Sequence, residues 1–503
     1  MKKWYIMYAL MIVLPSILVA QSDEDALRYS TLDFGGTARS WGSANAYGAV
    51  GGDFSTLSMN PAGLGIYRSS ELFFGMGLAY IKNRSEMYDN YQERDRYNFH
   101  VSGAGMVLTN MIKGRENSTD TWVSTNFGFG YNRLANYNSE INYSGFNNAN
   151  SLMDDYVSQL NANGGTNPSD VYNSAPFGAG LAWETYMLNP IPSDTTQYFS
   201  VIQNGNVQQS KYIQTSGGYD EMVLSFAGNY GNKLYIGATM GMPIVNYHST
   251  SIYSEEDIDN VHDDFNSLDL INTTDVNGFG INGKFGFIYR INNYMRIGGA
   301  VHTPTYIDMR ERYFSSMNSQ LDITGSYNYD SPYGEYLYGL TTPWRIFGSA
   351  AVTIQKYGFL SFDYEFVDYG EANYNFNRIG STSDINYENN LNNTIMGKYT
   401  GAHNFRFGAE ASIDIFRIRG GYAIQATPFN TGVATGSADY AKNTFTAGFG
   451  IKERSYFVDF AYVNTSSTEY DQEYYSDVNG GNSGATIDKR FSNFLISFGF
   501  RFE

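Results

Sequence analysis

The last eleven residues of the chain, 493–503, alternate between aromatic and polar or small side chains. The residues of one parity are Phe494, Ile496, Phe498, Phe500 and Phe502. The other parity includes Asn493, Ser497, Gly499 and Arg501. Because successive side chains of a strand point to opposite faces, one face of this segment is apolar and the other is mostly polar. This pattern is typical of the closing strand of a bacterial membrane β-barrel, with its apolar face toward lipid.

The same alternation recurs along the chain and predicts an all-β fold, a 14-stranded antiparallel transmembrane β-barrel. The predicted strands are 69–82, 95–109, 121–134, 211–230, 232–250, 275–291, 294–309, 341–356, 357–370, 400–415, 416–427, 441–453, 455–467 and 489–502. Tight turns alternate with the long links 83–94, 135–210, 251–274, 310–340, 371–399, 428–440 and 468–488. Short periplasmic turns and long extracellular loops explain this alternation, and an even number of strands predicts that both termini are periplasmic.

The longest link, 135–210, is predicted to be a large extracellular insertion. Apolar residues at helical spacing predict a helix over Ala149–Leu160, and a second helix is predicted over Gly180–Leu188. We expect these helices to cap the mouth of the barrel. A plain surface helix that covers a loop is an alternative explanation of the apolar stripe.

The N-terminal 68 residues do not show the strand pattern. Residues 1–20 form a predicted signal peptide, because Lys2 and Lys3 precede an apolar core from Trp4 to Val19, and Ala20 follows it. This core is interrupted by Pro15 and is too short for a stable transmembrane helix. The segment 21–68 is a polar leader followed by a Gly-rich stretch, which predicts a compact module without strands. The barrel is then predicted to span 69–503.

Several short motifs add a family resemblance. They are Gly35-Gly36-Thr37-Ala38-Arg39-Ser40, Gly51-Gly52-Asp53, Asn60-Pro61-Ala62-Gly63, Arg417–Pro428 and Asn443–Gly450. Together with the signal peptide and the tandem strands, these motifs resemble the FadL/TodX family of outer-membrane transporters. The resemblance implies that 21–68 folds as a leader and an N-terminal hatch inside the lumen. In that family a hydrophobic ligand enters near the extracellular mouth and leaves through an opening in the wall beside a kinked strand.

The resemblance implies candidate residues for these roles. The residues predicted to form the hatch or to contact the ligand are Phe54, Leu57, Asn60, Pro61, Leu64 and Tyr67. Gly128 and Gly130 lie in the predicted strand 121–134. Glycine weakens a strand and often marks a bend, so these two residues are the candidates for the lateral opening.

Charged residues in the last third of the barrel share the parity opposite the aromatic one. They are Asp363, Glu365, Arg406, Glu410, Arg417, Arg419, Asp459 and Arg501. An Arg or Lys on the lipid face costs roughly 2–4 kcal/mol near the midplane, so these side chains are predicted to face the lumen. The resulting charge network either holds the hatch to the wall or forms a polar path for the head group of a ligand.

Composition excludes several other functions. Without Lys2 and Lys3 the basic count falls from 32 to 30 against 50 acidic residues, a balance of −20 that repels nucleic acid. The absence of Cys excludes disulfides. The acidic loop Glu255–Asp264 lacks the Gly and Glu of an EF-hand, and the five His lack ligand spacing, so we predict no metal and no cofactor. A hydrated acidic loop is the favoured interpretation. The motifs Gly-x-Ser-x-Gly and His-Glu-x-x-His and paired Cys and His are absent, and no enzyme is predicted.

The sequence therefore predicts an outer-membrane transporter of small hydrophobic molecules, such as long-chain fatty acids. Its expected partners are outer-membrane lipid and the hydrophobic ligand. The alternative is a FadL-like barrel that does not transport. Such a barrel resembles PorV, an adaptor in type IX protein secretion, or an accessory barrel in outer-membrane assembly. The long extracellular loops would then bind other outer-membrane or secreted proteins.

Overall fold

The computed structural model describes residues 21–354, 356–376, 382–433, 438–476 and 481–502; the predicted signal peptide lies outside them. A closed, antiparallel 14-stranded barrel dominates the structure, as predicted. Its strands are β1 (Ser70–Met87), β2 (Asn90–Met111), β3 (Trp122–Asn136), β4 (Val207–Tyr230), β5 (Leu234–Glu256), β6 (Ser267–Arg290), β7 (Met295–His302), β8 (Arg345–Thr353), β9 (Gly358–Asp368), β10 (Gly401–Ile413), β11 (Phe416–Gln425), β12 (Lys442–Lys452), β13 (Tyr456–Ser476) and β14 (Gly481–Phe502). The barrel closes where β14 pairs with β1, from Ser70 opposite Phe502 to Glu86 opposite Thr486.

Further strands extend the wall on the side of the long loops. They are Ser139–Asn147, Tyr306–Leu321, Gly325–Asp330, Gly334–Thr341 and Asn373–Asn375. Ser139–Asn147 continues β3 and pairs with β4, whereas Tyr306–Leu321 follows β7 and pairs with β6. The strands therefore reach farther from the short turns than the sequence predicted.

The outer surface of the barrel is apolar at alternating positions. On β14, Phe494 and Phe500 are 55% and 59% exposed, whereas Asn493 and Ser497, which have the opposite parity, are buried. This is the parity that the sequence predicts, and a barrel that spans a membrane needs it because its outer face meets lipid. Among the described residues, no helix is both long enough and apolar enough to cross a membrane.

The N-terminal segment 21–68 lies inside the lumen. It contains two α-helices, α1 (Asp23–Ser30) and α2 (Ala38–Trp41), and two 3₁₀ helices, Phe54–Ser58 and Pro61–Ile66. Hydrogen bonds join it to strands all around the ring: the Ala38 amide donates to the Ser497 hydroxyl, and the Gly48 amide donates to the Asp363 carboxylate. A side-chain oxygen caps each of these helices at its N-terminus, which allows short helices to persist in so small a segment.

The long loops fold over and into the barrel mouth. The insertion forms α3 (Leu152–Asn161), a 3₁₀ turn (Ala162–Gly164), α4 (Val171–Ser174), α5 (Ala179–Glu184) and a hairpin of Leu188–Ile191 with Asp194–Ser200. Both predicted helices are present. They share one apolar core with Tyr253, Leu270 and Met317 from the extended strands, so the insertion is a packed cap.

The loop after β9 holds the other end of the N-terminal segment. It carries a 3₁₀ turn (Tyr369–Glu371) and α6 (Thr382–Lys398), which packs against α1 inside the mouth. The hydroxyl of Tyr387 in α6 donates to the Gln21 carbonyl, and the Gln21 amide donates to Glu311. Whereas β14 ends at the rim of the short turns, Gln21 is held in the lumen beside a long loop.

Candidate functional site

The apolar face of the hatch packs against one side of the barrel wall. Four of the predicted residues form it, and all are buried: Phe54, Leu57, Leu64 and Tyr67. Their partners in this cluster are Phe73, Val107, Val223 and Ala227 of β1, β2 and β4. These four hatch side chains face the wall and are not among the described residues that line the cavity above the hatch. Their contacts support a packed plug.

The two polar motif residues of the hatch fix its backbone. Asn60 caps the 3₁₀ helix that begins at Pro61, and its Oδ1 accepts from the Ala62 amide at 3.2 Å. Its Nδ2 donates to the Gly48 carbonyl at 2.7 Å and to the Phe287 carbonyl of β6 at 3.2 Å. Pro61 occupies the first helical position, where a missing N–H costs nothing. Asn60 thus joins two turns of the hatch to the wall.

Gly128 and Gly130 do not open the wall. Around these two glycines β3 pairs without a break with β2 along one edge and with β4 along the other edge. A Cβ at Gly128 would lie 2.7 Å from Cδ2 of Leu57, and one at Gly130 would lie 2.6 Å from the ring of Phe54. Gly128 therefore makes room for the hatch, and Gly130 makes room for both the hatch and the backbone of β2, because a Cβ there would also lie 2.3 Å from the Ala104 carbonyl oxygen. The regular pairing contradicts the predicted lateral opening at these two residues.

One half of the predicted charge network centres on the buried carboxylate of Glu365. Arg345 of β8 donates to it at 2.5 Å, and Arg406 of β10 donates to its other oxygen. The second Nη atom of Arg345 donates to the Ser30 carbonyl at the end of α1. The network therefore runs from the wall to the N-terminal segment.

The other half of the network surrounds Arg39, which the hatch contributes. Arg419 of β11 lies 2.7 Å from Glu410 and 2.6 Å from Asp459. The Arg39 side chain lies 3.6 Å from Glu410 and donates to the Gly52 carbonyl at 2.8 Å. Burial alone would lower the pKa of the Arg39 guanidinium, but Tyr47, Glu410 and Asp53 raise it above its usual range. Arg39 stays charged at the centre of the plug.

Two predicted members of the network lie elsewhere. Arg417 is the second residue of β11 and donates to the carbonyls of Asp414 and Phe416, both at 2.7 Å. Arg501 pairs with Glu71 of β1 at 3.0 Å near the rim of the short turns. Glu71 also accepts from the hydroxyl of Tyr67, whose pKa burial raises well above its usual value. The alternation of side chains predicts which face of the strand these arginines occupy. Their partners depend on how far along the strand each arginine lies, which the alternation does not reveal.

A cavity of about 550 Å³ lies in the lumen above the hatch. Residues of α1 and Trp41 of α2 line its lower side. Its apolar lining includes Ile81, Ile141, Ile213, Val463, Ile487 and Phe491. Its tyrosines are Tyr137, Tyr247, Tyr369, Tyr399, Tyr440 and Tyr470. The cavity combines an aliphatic surface with a ring of phenol groups, so an amphipathic or aromatic molecule fits its chemistry.

Two of the cationic side chains that line this cavity are paired with carboxylates. Lys211 of β4 lies 2.7 Å from Asp471 and 2.5 Å from Glu473, both on β13. Lys489 of β14 pairs with Glu469. These pairs join wall strand to wall strand and leave the space between them open. Among the described residues, no group of three or more His, Asp or Glu is placed to hold a metal ion.

Sequence reasoning missed the role of Glu255, the first residue of the acidic stretch 255–264, which lies at the end of β5. Glu255 is fully buried and its carboxylate accepts from the Leu152 amide, the Gln209 amide and the Tyr253 hydroxyl, and also from Ser151. It therefore ties the N-terminus of α3 to the wall and fixes the cap. The favoured interpretation, a hydrated acidic loop, is wrong for this residue, because its partners come from distant segments that no local motif reveals.

Comparisons with known proteins show which solved structures have a similar architecture. No protein-family model matches the chain, and no curated protein matches its sequence significantly. The solved structure of a FadL homologue from Pseudomonas aeruginosa aligns with a TM-score of 0.53 and 10% identity, over 93% of this chain and 98% of its own. The toluene transporter TodX from Pseudomonas putida aligns with a TM-score of 0.53 and 10% identity, over 94% of this chain and 99% of its own. The fold is FadL-like. At this identity the similarity concerns the architecture, and the chemistry of the FadL-like lumen rests on the residues described above.

Proposed function

We propose that this chain lies in the outer membrane, with its short turns in the periplasm, and carries small hydrophobic molecules inward through the lumen. In this proposal residues 1–20 are a signal peptide, 21–68 are the leader and hatch, and 69–503 are the barrel. The cavity above the hatch carries the argument, because it is sized for a small molecule and lined on one side by aliphatic groups. The FadL-like fold supports it, since a toluene transporter shares that fold.

The lining favours a ligand that is mainly hydrocarbon, such as an aromatic hydrocarbon or a long-chain fatty acid. Tyrosine rings offer apolar faces, and their hydroxyls offer hydrogen bonds to a single polar group. Of the cations that line the cavity, Lys211 and Lys489 are paired with carboxylates, whereas Lys442 and Arg490 offer positive charge to the head group of a fatty acid. Affinity comes mainly from burial of apolar surface. The proposed role is transport, without chemistry on the ligand.

A break in the wall provides a lateral exit in this proposal. The pairing of β2 with β3 stops at Gly103, although β2 continues along β1 to Asn90. The ladder of β3 with β4 is irregular between Arg133 and Ala135. The cavity reaches this place, because Ala135 and Ser139 line it. Outside, Tyr97 and Phe99 of β2 are each 66% exposed. We place the exit here, above the glycines of β3.

Side-chain hydrogen bonds cross this break and offer a way to close it. The Asn136 amide donates to Oδ1 of Asn98 at 3.1 Å. Since the chain has no Cys, Asn98→Cys with Asn136→Cys can be joined by a short thiol crosslinker. The control pair is Thr444→Cys with Thr465→Cys, whose hydroxyls are 2.8 Å apart on strands that a regular ladder already joins.

The test is uptake of radiolabelled toluene and oleate by cells that lack other FadL-like transporters. We expect the parent to exceed the empty vector, and Ile213→Trp, which fills the cavity, to lose this uptake. Ile236→Trp is the matched control, because Ile236 lies on the outer face and is 43% exposed. Crosslinking the 98/136 pair should also stop uptake, whereas the control pair should not. If Ile213→Trp stops uptake but the 98/136 crosslink does not, the proposed transport is supported and the exit lies elsewhere in the wall.

The alternative, an adaptor in protein secretion or assembly, has one observation in its favour. The outer loops expose apolar side chains to solvent, with Tyr333 87% and Ile323 77% exposed. Such residues are common at protein interfaces. If the parent equals the empty vector for both probes and a protein copurifies stoichiometrically, the adaptor role replaces transport.

A further inference from the structure

The lipid-facing side of the barrel carries a groove that is separate from the cavity in the lumen. It has a volume of about 550 Å³ and lies across β4, β5 and β6. Its rim is formed by outward-facing side chains: Leu224, Phe226, Met240, Ile281, Phe285 and Tyr306. Each of these six is exposed on the barrel exterior, between 39% and 62%. The groove is therefore a feature of the surface that faces the membrane.

Two small outward positions and an interruption of the wall produce this groove. On β5, Ala238 lies between Phe226 of β4 and Phe285 of β6. In the next row, Met240 faces Gly283, which has no side chain. Beside Gly283 the wall itself changes, because the segment 303–305 interrupts the strand between β7 and Tyr306–Leu321. Small residues beside large aromatic ones leave a depression in an otherwise continuous apolar belt.

The polar groups at the floor of the groove are bonded to one another. The Gly283 amide donates to the Thr303 hydroxyl at 3.0 Å, and the Thr303 amide donates to the Gly283 carbonyl at 2.9 Å. The Thr303 hydroxyl in turn donates to the Pro304 carbonyl at 3.0 Å. No charged side chain is among the described residues that line the groove. An occupant therefore gains contacts with hydrocarbon and has no ionic partner.

We propose that this groove binds one hydrocarbon chain of a membrane lipid. The groove is continuous with the apolar exterior, so a lipid acyl chain is the molecule that already faces it. A flexible chain follows a depression among Phe226, Met240, Phe285 and Tyr306, whereas a flat protein face would leave the depression empty. Voids along an apolar surface forfeit dispersion contacts, so filling the groove is favourable. This site is independent of the proposed transport.

Gly283 offers a clean variant for the test. A Cβ at this position would lie 3.5 Å from Cε2 of Phe285 and 3.6 Å from Cγ2 of Thr303, which are ordinary contacts. Gly283→Leu therefore fills the groove without a backbone clash. The matched control is Gly348→Leu on β8, since Gly348 also faces outward and a Cβ there meets no described heavy atom within 4 Å.

The experiment uses the full chain in vesicles of phosphatidylethanolamine and phosphatidylglycerol, with a trace of phosphatidylethanolamine that carries a diazirine in one acyl chain. After photolysis, peptide mapping locates the labelled residues. We expect labelling of the parent to concentrate at 238–240 and 281–285, relative to the outward apolar residues of β14. Gly283→Leu should lower this labelling about tenfold, equivalent to roughly 1.4 kcal/mol of affinity. Gly348→Leu should leave it unchanged.

Two results would overturn the proposal. One is even labelling around the whole apolar belt of the parent, and the other is equal labelling at 238–240 and 281–285 in the parent and in Gly283→Leu. Heat-modifiable migration on a gel verifies that each variant folds. If Gly283→Leu does not fold, Ala238→Leu fills the same groove from β5 and is judged by the same criterion.

Discussion

The half of the lumen that holds the hatch and the half above it satisfy their charged residues in different ways. Below, the ion pairs of the wall reach the N-terminal segment, as where Glu410 meets Arg39 or Arg345 meets the end of α1. Above, Lys211 and Lys489 pair with carboxylates of β13, so these two ion pairs join wall to wall. The lower half is therefore a fixed plug, and the upper half retains a cavity for a ligand.

The largest effect is expected from removing the carboxylate that holds two arginines in the lower half. Glu365→Ala leaves Arg345 and Arg406 buried without their partner, which costs about 3–5 kcal/mol when such a pair is broken. We expect a lower midpoint of urea unfolding in detergent. Glu335→Ala is the control, because its partner Arg312 is 57% exposed, and it should leave the midpoint nearly unchanged. Equal midpoints for the two variants would contradict a plug that is held by charge.

A smaller effect is expected where the hatch packs against glycine. Gly128→Val places a side chain where Cδ2 of Leu57 would lie 2.7 Å from its Cβ, and overpacking of this kind costs about 1–3 kcal/mol. The hatch should shift, so we expect greater ion conductance in planar bilayers and faster proteolysis at the hatch. Gly348→Val, on the open outer face, should change neither. If Gly128→Val instead lowers ion conductance below that of the parent, this result would contradict the packing role and support a role of Gly128 in a gate.

These glycines show what the sequence can and cannot predict. The alternation of apolar and polar residues predicted the barrel strands and the outward face of β14, because this pattern is local to each strand. Whether Gly128 bends a strand or accommodates Leu57 depends on a residue 71 positions earlier in the sequence, and no local pattern contains it. The same holds for Glu255, whose partner Ser151 is 104 residues away. The break above Gly103 was also missed, since strand pairing is not visible in one strand alone.

The smallest effect is expected at the cap of the second 3₁₀ helix of the hatch. Asn60→Ala removes the cap and two hydrogen bonds to carbonyls, a loss of about 0.5–2 kcal/mol for the cap. Because the strands are untouched, we expect unchanged urea unfolding of the barrel and a modest increase in protease cleavage between residues 48 and 66. Asn60→Asp, which keeps the capping oxygen, should fall between parent and Asn60→Ala. Identical cleavage of all three proteins would show that this cap does not hold the hatch.

The most direct test of the comparison locates a bound molecule in the lumen. Crystals of the parent and of Ile213→Trp are soaked with 4-bromotoluene, and the anomalous signal of bromine reveals where the probe binds. The account predicts a peak in the cavity above the hatch, beside Ile213, Ile487 and Phe491, in the parent and its loss in Ile213→Trp. An empty cavity at saturating probe, or a peak only among the residues of the hatch, would contradict it.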